Sequence, residues 1–332
     1  MEQLQLVQVG FLRPVLDGLK DAGVNVSRLL DSSGLNKFHL TDTEQYVPVH
    51  SMYSFFDGVN QQEGIDDLMD QFSEQIQLVS LSQWGEMIAY TPDILTAIQT
   101  AVKYDSVVMS HEQAGFEICG NKTKYWQRFT DRQIYGGKQK GREQADFLSF
   151  ALAIKGFQLA AGNDWAPLEI HFQSQIAPNL DILLPPGNNT RILLGQAATA
   201  IVFPTSMLAM PMLGGDVHEG LATNFSLPIT LSSKIENLLS SMQPNLIPNM
   251  ELVAEMTESS IRTLQRNLAE EDASLSGVVE QWRFKKAIQL LDNSGIKIKD
   301  ISEQLGYANA PNFVRAFRRW TGTSPNGYRE QK

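Results

Sequence analysis

Cysteine is almost missing from this chain of 332 residues, and its scarcity excludes two kinds of site. With Cys119 as the only cysteine, no disulfide can form within the chain and no cysteine-based metal site can be built. We interpret Cys119 as a small buried hydrophobic residue rather than a nucleophile. The N-terminus shows no basic leader followed by an apolar core and a cleavage site, so we expect a cytoplasmic protein.

Catalytic motifs are missing as well. The five histidines form no HExxH or His/Cys spacing, and the sequence contains no P-loop, GxSxG or GxGxxG; the histidines are His39, His50, His111, His171 and His218. We therefore predict no catalytic residues, no metal site and no cofactor. Carboxylates that meet only in the folded chain could still form an active site, so an enzyme stays an alternative.

A long apolar stretch that could cross a membrane is also lacking. Residues 192–215 carry no charge, and their length alone would allow a span. Gln196, Thr199, Pro204 and Pro211 interrupt this stretch and favour a buried strand followed by a loop. We predict no membrane association.

Basic residues are fewer than acidic residues, and they are unevenly distributed along the chain. The formal net charge is −10, from 27 Lys and Arg against 37 Asp and Glu. Residues 241–332 hold 12 basic and 11 acidic residues, a net of +1, which leaves 15 basic and 26 acidic residues and a net of −11 for the remainder. An acidic body with arginines concentrated on one helix near the C-terminus suits a reader of specific sites better than a general polyanion binder.

The first 215 residues predict an α+β domain of helices and a small mixed sheet. Apolar residues at helical spacing predict helices within residues 1–45, 48–62, 91–102 and 143–161. Alternating or continuous apolar runs predict strands within 107–129, 168–172 and 190–203. Gly, Ser, Thr, Pro and Asn cluster in residues 214–231, so we predict domains at 1–215 and 246–332 joined by a linker with a helix at 216–245.

A basic segment with interleaved aromatic residues lies at 122–142. Such a segment could stack nucleic-acid bases, but charged hairpin loops are usually just solvated, and we favour that interpretation. The basic residues are Lys122, Lys124, Arg128, Arg132, Lys138, Lys140 and Arg142, and the aromatic ones are Tyr125, Trp126 and Phe129.

Residues 296–320, IKIKDISEQLGYANAPNFVRAFRRW, predict two short helices around a tight turn. Gly306 ends the first helix, and Pro311 is favoured at the first position of the second. The second helix has an apolar stripe with polar residues opposite it at about 100° per residue. The stripe is Phe313, Ala316, Phe317 and Trp320, and the opposite face holds Asn312, Arg315, Arg318 and Arg319. This layout is typical of a helix-turn-helix whose second helix enters the major groove of double-stranded DNA.

A similar arrangement precedes it. Ser260 is placed to cap a helix whose apolar stripe is Ile261, Leu264 and Leu268. Arg262, Gln265 and Arg266 point away from that stripe. Residues 275–291 between the two arrangements predict one helix of about 25 Å. A spacer of that size could hold two recognition helices near one turn of DNA apart, roughly 34 Å.

The residue types suit base recognition. Arginine can donate two hydrogen bonds to O6 and N7 of guanine, asparagine can pair with N6 and N7 of adenine, and further arginines can neutralise phosphates. We therefore predict an all-α C-terminal domain of two helix-turn-helix units joined by a long helix, bound to promoter or operator DNA.

The C-terminal motifs closely resemble the DNA-binding domain of AraC/XylS-type transcription regulators. The resemblance covers residues 250–329 through RTLQRNL, WRFKKAIQLL and IKDISEQLGYANAPNFVRAFRRWTGTSPNGYR. It implies two units that read successive major grooves, and RNA polymerase as a partner of activators. It places Arg262, Gln265, Arg266, Asn312 and Arg315 against bases, with Arg318 and Arg319 as phosphate or structural contacts.

Five positions depart from the family pattern. Glu258 and Asp272 stand where glycine is usual, and Thr257 stands where an apolar residue is usual. Asn309 and Pro311 stand where an acidic residue and Ser or Thr are more typical. We expect the first unit to read DNA more loosely than the second.

The N-terminal part resembles the arabinose-binding-like domain of the same family, through GEMIAYTPDILTAIQTAVKY, GFQLAAGNDWAPLEIHF and IVFPTSMLAMPM. Such domains sense small molecules, dimerise, or both. The resemblance implies a homodimer and an effector whose identity the sequence leaves open. Candidate effector-binding residues are Trp84, Tyr104, Phe116 and Trp126, with ordinary core packing as the alternative. A constitutive regulator whose N-terminal domain only oligomerises is the alternative function, and the choice between activation and repression stays open.

Overall fold

A computed structural model of the chain describes residues 4–129, 139–213, 230–243, 246, 248–293 and 295–330. These residues form fifteen α-helices and seven strands. Most of the predicted linker, together with Arg132 and Lys138 of the basic segment, lies outside the described residues.

The N-terminal part begins with a small two-stranded sheet among helices. Its elements are β1 (Leu6–Gln8), α1 (Arg13–Asp21), α2 (Ser27–Ser33), β2 (Tyr46–Pro48), α3 (Val49–Glu63), α4 (Leu68–Phe72), α5 (Leu78–Leu81), α6 (Gln83–Ala89) and α7 (Ile94–Val108). β1 pairs antiparallel with β2, with Leu6 opposite Pro48. The all-helical prediction for residues 1–45 was therefore wrong at β1. All three residues of this strand are buried, so it shows no alternation that would distinguish it from a helix.

A five-stranded mixed sheet follows. Its elements are β3 (Glu112–Cys119), β4 (Lys122–Phe129), α8 (Gln139–Ala161), β5 (Glu169–His171), β6 (Arg191–Leu193) and β7 (Thr199–Pro204). The strand order is β3-β4-β7-β5-β6, with β5 and β6 parallel and the other neighbours antiparallel. Long α8 contacts α3, α4, α5 and β7, and it ends before Gly162, whose φ of 84° suits glycine. The predicted α+β class is confirmed.

One local prediction in this region was wrong. The interpretation of Cys119 as a buried residue fails, because Cys119 is exposed at the end of β3, an edge strand of the sheet. Helix α7 continues to Val108, and β3 and β4 both lie within the predicted range of 107–129. Asp93 caps α7 by accepting a hydrogen bond from the backbone of Thr96.

The C-terminal part is all helical, as predicted. Its helices are α9 (Leu231–Ser241), α10 (Met250–Met256), α11 (Ile261–Ala269), α12 (Leu275–Asp292), α13 (Ile298–Gln304), α14 (Ala310–Thr321) and α15 (Pro325–Glu330). We call α10 and α11 the first unit, and α13 and α14 the second unit. Helix α12 joins them.

The two units differ in how their cores are built. The buried cluster of the N-terminal part continues through Ile235 and Leu239 of α9 into Val253, Leu264 and Trp282 of α10, α11 and α12. The second unit has a separate cluster with the C-terminal half of α12; it consists of Ala287, Leu291, Ile301, Leu305, Phe313 and Phe317. The first unit therefore shares a core with α9, whereas the second unit has its own.

Helix α9 is hydrogen-bonded on both sides. Towards the N-terminal part, Lys234 Nζ donates to the carbonyl of Leu4 at 3.0 Å, and the backbone of Tyr46 donates to Ser241 Oγ at 2.9 Å. Towards the C-terminal part, the Glu271 carboxylate accepts hydrogen bonds from the first backbone N–H groups of α9, at 2.6 Å from Leu231 and 3.0 Å from Ser232. The domain boundaries at 215 and 245 stay a prediction.

Candidate nucleic-acid interface

The second helix of each unit begins at a side-chain cap. Ser260 Oγ accepts a hydrogen bond from the backbone of Thr263 at 3.1 Å, as predicted. Asn309 Oδ1 accepts one from the backbone of Asn312 at 3.0 Å. Because Asn309 is the cap and α14 starts at Ala310, Pro311 occupies the second helical position rather than the predicted first. These caps satisfy backbone donors that the first turn of a helix leaves unpaired.

Helix α11 presents three of the predicted DNA-contacting residues. Leu264 and Leu268 are buried beneath it, while Arg262, Gln265 and Arg266 are exposed. Arg266 Nε lies 4.0 Å from Glu270 Oε1, a loose pair on the helix surface. Ile261 lies outside the buried stripe to which we assigned it, with 39% of its surface exposed.

Helix α14 separates its apolar and polar faces clearly. Phe313, Ala316 and Phe317 are buried, as predicted. On the opposite face, Asn312 is half-buried and Arg315 is exposed. Arg315 Nη2 donates a hydrogen bond to Asn312 Oδ1 at 2.6 Å. The structure thus brings together the two residues of α14 that we expect to face bases.

The remaining arginines of α14 differ in their surroundings. Arg318 is exposed, whereas Arg319 is exposed and pairs with Glu280 of α12. Trp320 Nε1 donates to the same carboxylate oxygen, Glu280 Oε1, at 2.6 Å. Hydrogen bonds from Trp320 and Arg319 lower the pKa of the Glu280 carboxyl group, so it is charged at neutral pH. Arg319 thereby ties α14 to the connecting helix.

Arg283 of α12 is a residue that the sequence reasoning missed. Its Nε donates to the carbonyl of Leu305 at 2.9 Å, and its guanidinium lies 4.9 Å from the ring centroid of Tyr307. These contacts hold the turn of the second unit against α12. The signal was available, because Arg283 belongs to the motif WRFKKAIQLL that carried the family resemblance.

A polar groove runs between the start of α10, α12 and the outer face of α14. Arg283 and Glu280 line it from α12, and Asn312, Arg315 and Arg319 line it from α14. These five side chains thus bring three guanidinium groups and one carboxylate to the same concave surface. Such a surface can accept an anion such as a phosphate between the two units.

Each unit has two residues with positive φ at its turns, but the residue types differ between the units. In the second unit, Gly306 and Gly322 have φ values of 70° and 76°. At the corresponding turns of the first unit, Glu258 and Asp272 have φ values of 47° and 52°. The non-glycine residues of the first unit therefore adopt a left-handed conformation that costs them free energy.

The basic segment of the N-terminal sheet offers little for base stacking. Tyr125 and Phe129 are buried, so their rings are not available to bases. Lys122 Nζ lies 3.1 Å from Glu169 Oε1, and Arg128 Nη2 donates to Gln113 Oε1 at 2.6 Å. These contacts agree with the interpretation of the segment as a protein surface.

A largely apolar cavity lies inside the N-terminal part. Of the four candidate effector-binding residues, Trp84 lines this cavity. Tyr104, Phe116 and Trp126 are half-buried and lie outside its lining. Their role in effector binding stays a prediction.

Within the described part of the chain, no group of three or more His, Cys, Asp or Glu side chains is arranged to hold a metal ion. None of the described helices is long and apolar enough to cross a membrane.

Two helix-turn-helix units joined by one helix, with arginine and amide side chains on the outer faces of their second helices, define a protein of the double helix-turn-helix class. Comparison with family models identifies the family. A model of a helix-turn-helix domain matches residues 253–331. A model described as the arabinose-binding domain of AraC transcription regulators matches residues 23–212, more than half of the chain. The chain belongs to the AraC family of transcription regulators.

Two known relatives from Pseudomonas aeruginosa match about a third of this chain. The transcriptional regulator VqsM is 38% identical over 99 residues, 30% of either chain. The ornithine utilization regulator is 33% identical over 115 residues, 35% of this chain and 31% of its own. The chain thus spans about a third of the length of these curated relatives. A solved structure, the transcriptional regulator CdpR of the same organism, aligns over 96% of this chain and 97% of its own, with 16% identity and a TM-score of 0.44.

Proposed function

We propose that this protein binds specific promoter or operator sequences in double-stranded DNA and that a small-molecule effector in its N-terminal part controls this binding. The observation that carries the proposal is the outer face of α14, where Arg315 and Asn312 lie side by side. Together these side chains supply donors and acceptors that suit guanine and adenine edges in the major groove.

The connecting helix supports simultaneous use of both units. Helix α12 has 18 residues, which corresponds to about 27 Å of rise. This length is close to the roughly 34 Å between successive major grooves. Arg319 and Arg283 border the groove between the units, where a phosphate of the intervening backbone would lie.

Effector control has a physical route in α9. This helix packs on β2 on one side and on α11 and α12 on the other. A ligand that changed the packing of the N-terminal part would therefore act on the first unit through a shared core. The expected mechanism is a population shift between arrangements that differ in DNA affinity.

Homodimerisation and contact with RNA polymerase remain expectations from the family. A constitutive regulator with an N-terminal part that only oligomerises is the alternative. Calorimetry of the full chain against cell metabolites discriminates the two, because the constitutive version predicts no binding and no change in DNA affinity.

The test of the proposed DNA contact is Arg315→Ala in the full chain. We expect selected genomic sites to lose about 1 to 3 kcal/mol of binding free energy, roughly 5- to 150-fold in Kd, together with relaxed preference at one base position. Binding is measured by footprinting and by titration at several salt concentrations. Arg191→Ala is the matched control, because Arg191 is an exposed arginine on β6 of the N-terminal sheet. If Arg315→Ala selects the same sites with wild-type affinity, the assigned reading face is wrong.

A further inference from the structure

The cavity of the N-terminal part has walls made almost entirely of hydrocarbon. It lies between α6, α7, α8 and β4 and is partly open to solvent. The apolar lining residues are Leu78, Ile88, Ile94, Ala97, Ile98, Ala101, Leu152, Ala153, Gly156, Phe157 and Met212. Because these side chains and backbone atoms cannot pair with hydroxyl groups, a sugar would lose most of its hydrogen bonds to water on entering.

A short chain of neutral polar groups interrupts the hydrocarbon. Gln127 and Ser149 line the cavity, and Gln127 Nε2 donates to Ser149 Oγ at 3.3 Å. Ser149 Oγ in turn lies 3.3 Å from Glu112 Oε1, behind the wall. The lining residues include no charged side chain. The cavity therefore presents amide, hydroxyl and phenol groups but no ion to a ligand.

One lining residue has an unused hydrogen-bond donor. Trp84 is 5% exposed, and its indole Nε1 has no hydrogen-bond acceptor among the described residues. A buried N–H without an acceptor is unfavourable. Because Trp84 lines the cavity, a ligand oxygen that reached Nε1 would satisfy this donor.

Buried carboxyl groups behind the wall show how unfavourable an ion is in this region. Ser149 contacts Glu112, and Glu112, Asp105 and Asp146 are all buried. Burial first, and then interaction with Asp105 and Asp146, raises the pKa of Glu112 well above its ordinary value, which favours its neutral form. A charged ligand group would lose its hydration in the same low-dielectric region, so the surroundings disfavour an ionic ligand.

We propose that the cavity binds a small, uncharged and mostly apolar molecule that carries a hydroxyl or carbonyl oxygen. This inference rests on the proposed effector control and narrows it to one chemical class. The hydrocarbon part lies against α7 and α8, and the oxygen pairs with Trp84 or with the Gln127 and Ser149 pair. Sugars and fatty carboxylates do not suit this site.

The experiment compares four probes that differ in charge and polarity. Calorimetry of the full chain measures binding of n-octanol, n-octanoate, n-octylamine and L-arabinose. We expect saturable binding of n-octanol, at least about tenfold weaker binding of the two ions, and no binding of L-arabinose. Tenfold corresponds to about two buried methylene groups or to one poorly matched polar group.

A variant at Gly156 locates the binding. A Cβ at Gly156 would lie 3.7 Å from Leu78 Cδ2, an ordinary contact, so a methyl group fits there without moving the backbone. Gly156→Leu places its side chain in the cavity, and we expect at least about tenfold weaker n-octanol binding. Gly156→Ala is the matched control and should retain most of the affinity. Circular dichroism of both variants verifies that the helix is intact.

The outcomes separate this inference from the proposed function. If L-arabinose or an ion binds as tightly as n-octanol and Gly156→Leu blocks it, the chemical class is wrong although the cavity is a binding site. If n-octanol does not bind, or if it binds equally to Gly156→Leu, the cavity assignment is overturned. DNA binding and its Arg315 dependence, measured on the same preparation, show separately whether the proposed DNA function holds.

Discussion

At the scale of single residues, the N-terminal part buries carboxyl groups that the sequence had not marked. Burial raises the pKa of Asp105 to about 7, from an ordinary value of 3.8. Burial likewise raises the pKa of Glu112 well above its ordinary value. A carboxyl group with a raised pKa holds its proton in the folded chain over a pH range in which the unfolded chain releases it.

This difference predicts a pH dependence of stability. The contribution of Asp105 to the free energy of unfolding is fully present below about pH 4. It is lost as the pH rises towards 7, by up to about 1.4 kcal/mol per pH unit. Asp105→Asn keeps the shape of the side chain but replaces the titratable carboxyl group with an amide that does not ionise. We expect the variant to gain roughly 1 to 3 kcal/mol relative to wild type between pH 5 and 7. Urea unfolding of both proteins at pH 5 and at pH 7 measures this difference in the free energy of unfolding.

Asp181→Asn is the control for this prediction, because Asp181 is an exposed carboxylate. The prediction fails if the stability of Asp105→Asn depends on pH as steeply as that of the wild type. Coupling to Glu112 leaves part of the slope in place, and the double variant with Glu112→Gln should flatten it further.

The arginines of α14 also differ in the residues that they contact within the protein. Arg315 and Arg319 look alike in the sequence, since both lie on the face opposite the apolar stripe. In the folded chain Arg319 pairs with Glu280, whereas Arg315 contacts Asn312 of the same helix. Glu280 lies 39 residues before Arg319, so no local pattern could have predicted this contact.

At the scale of elements, the two helix-turn-helix units show how one backbone shape is built from different residues. The second unit uses Gly306 and Gly322 at left-handed positions, and the first unit uses Glu258 and Asp272. This left-handed conformation costs a residue with a Cβ about 1 kcal/mol or more of free energy, whereas it costs glycine almost nothing.

Glu258→Gly should therefore stabilise the first unit by about 0.5 to 1 kcal/mol, since relief of backbone strain exceeds the entropy that glycine adds to the unfolded chain. Hydrogen exchange of amides in α10 and α11 measures the gain. Glu258→Ala removes the same carboxylate but keeps a Cβ, so it should bring no such gain. Equal stabilisation by alanine would assign the effect to the carboxylate, which lies 4.0 Å from His50, and would contradict the strain argument.

At the scale of the whole molecule, the first unit and the second unit are held in different ways. Helix α9 buries Ile235, Leu238 and Leu239 where it meets α11, α12 and the N-terminal part. The second unit closes its own core around Phe313 and Phe317. We therefore expect the first unit to depend on α9 and the second unit to be autonomous.

Two fragments test this dependence. In residues 246–332, which lack α9, amides of α11 and of the first half of α12 should exchange at least about tenfold faster than in residues 230–332. Amides of α13, α14 and α15 should exchange equally fast in both fragments, which makes the second unit an internal control. Equal protection of α11 in the two fragments would show that the first unit does not need α9.

The sequence by itself determined the family, the two helix-turn-helix units and the polar faces of their second helices. Helical periodicity, caps and turn residues are local signals, so short stretches such as residues 310–321 carried them completely. The mixed sheet was also predicted in outline, although the order of its strands was not.

Only the tertiary structure decided what lies between these elements. It brought Trp84, Gln127 and Ser149 into one cavity from α6, β4 and α8, set Glu112 behind Ser149, and joined α9 to both halves of the chain. These contacts link residues far apart in sequence, and their free energy depends on distance, burial and shape. A pattern of residue types along the chain contains none of these quantities until the chain has folded.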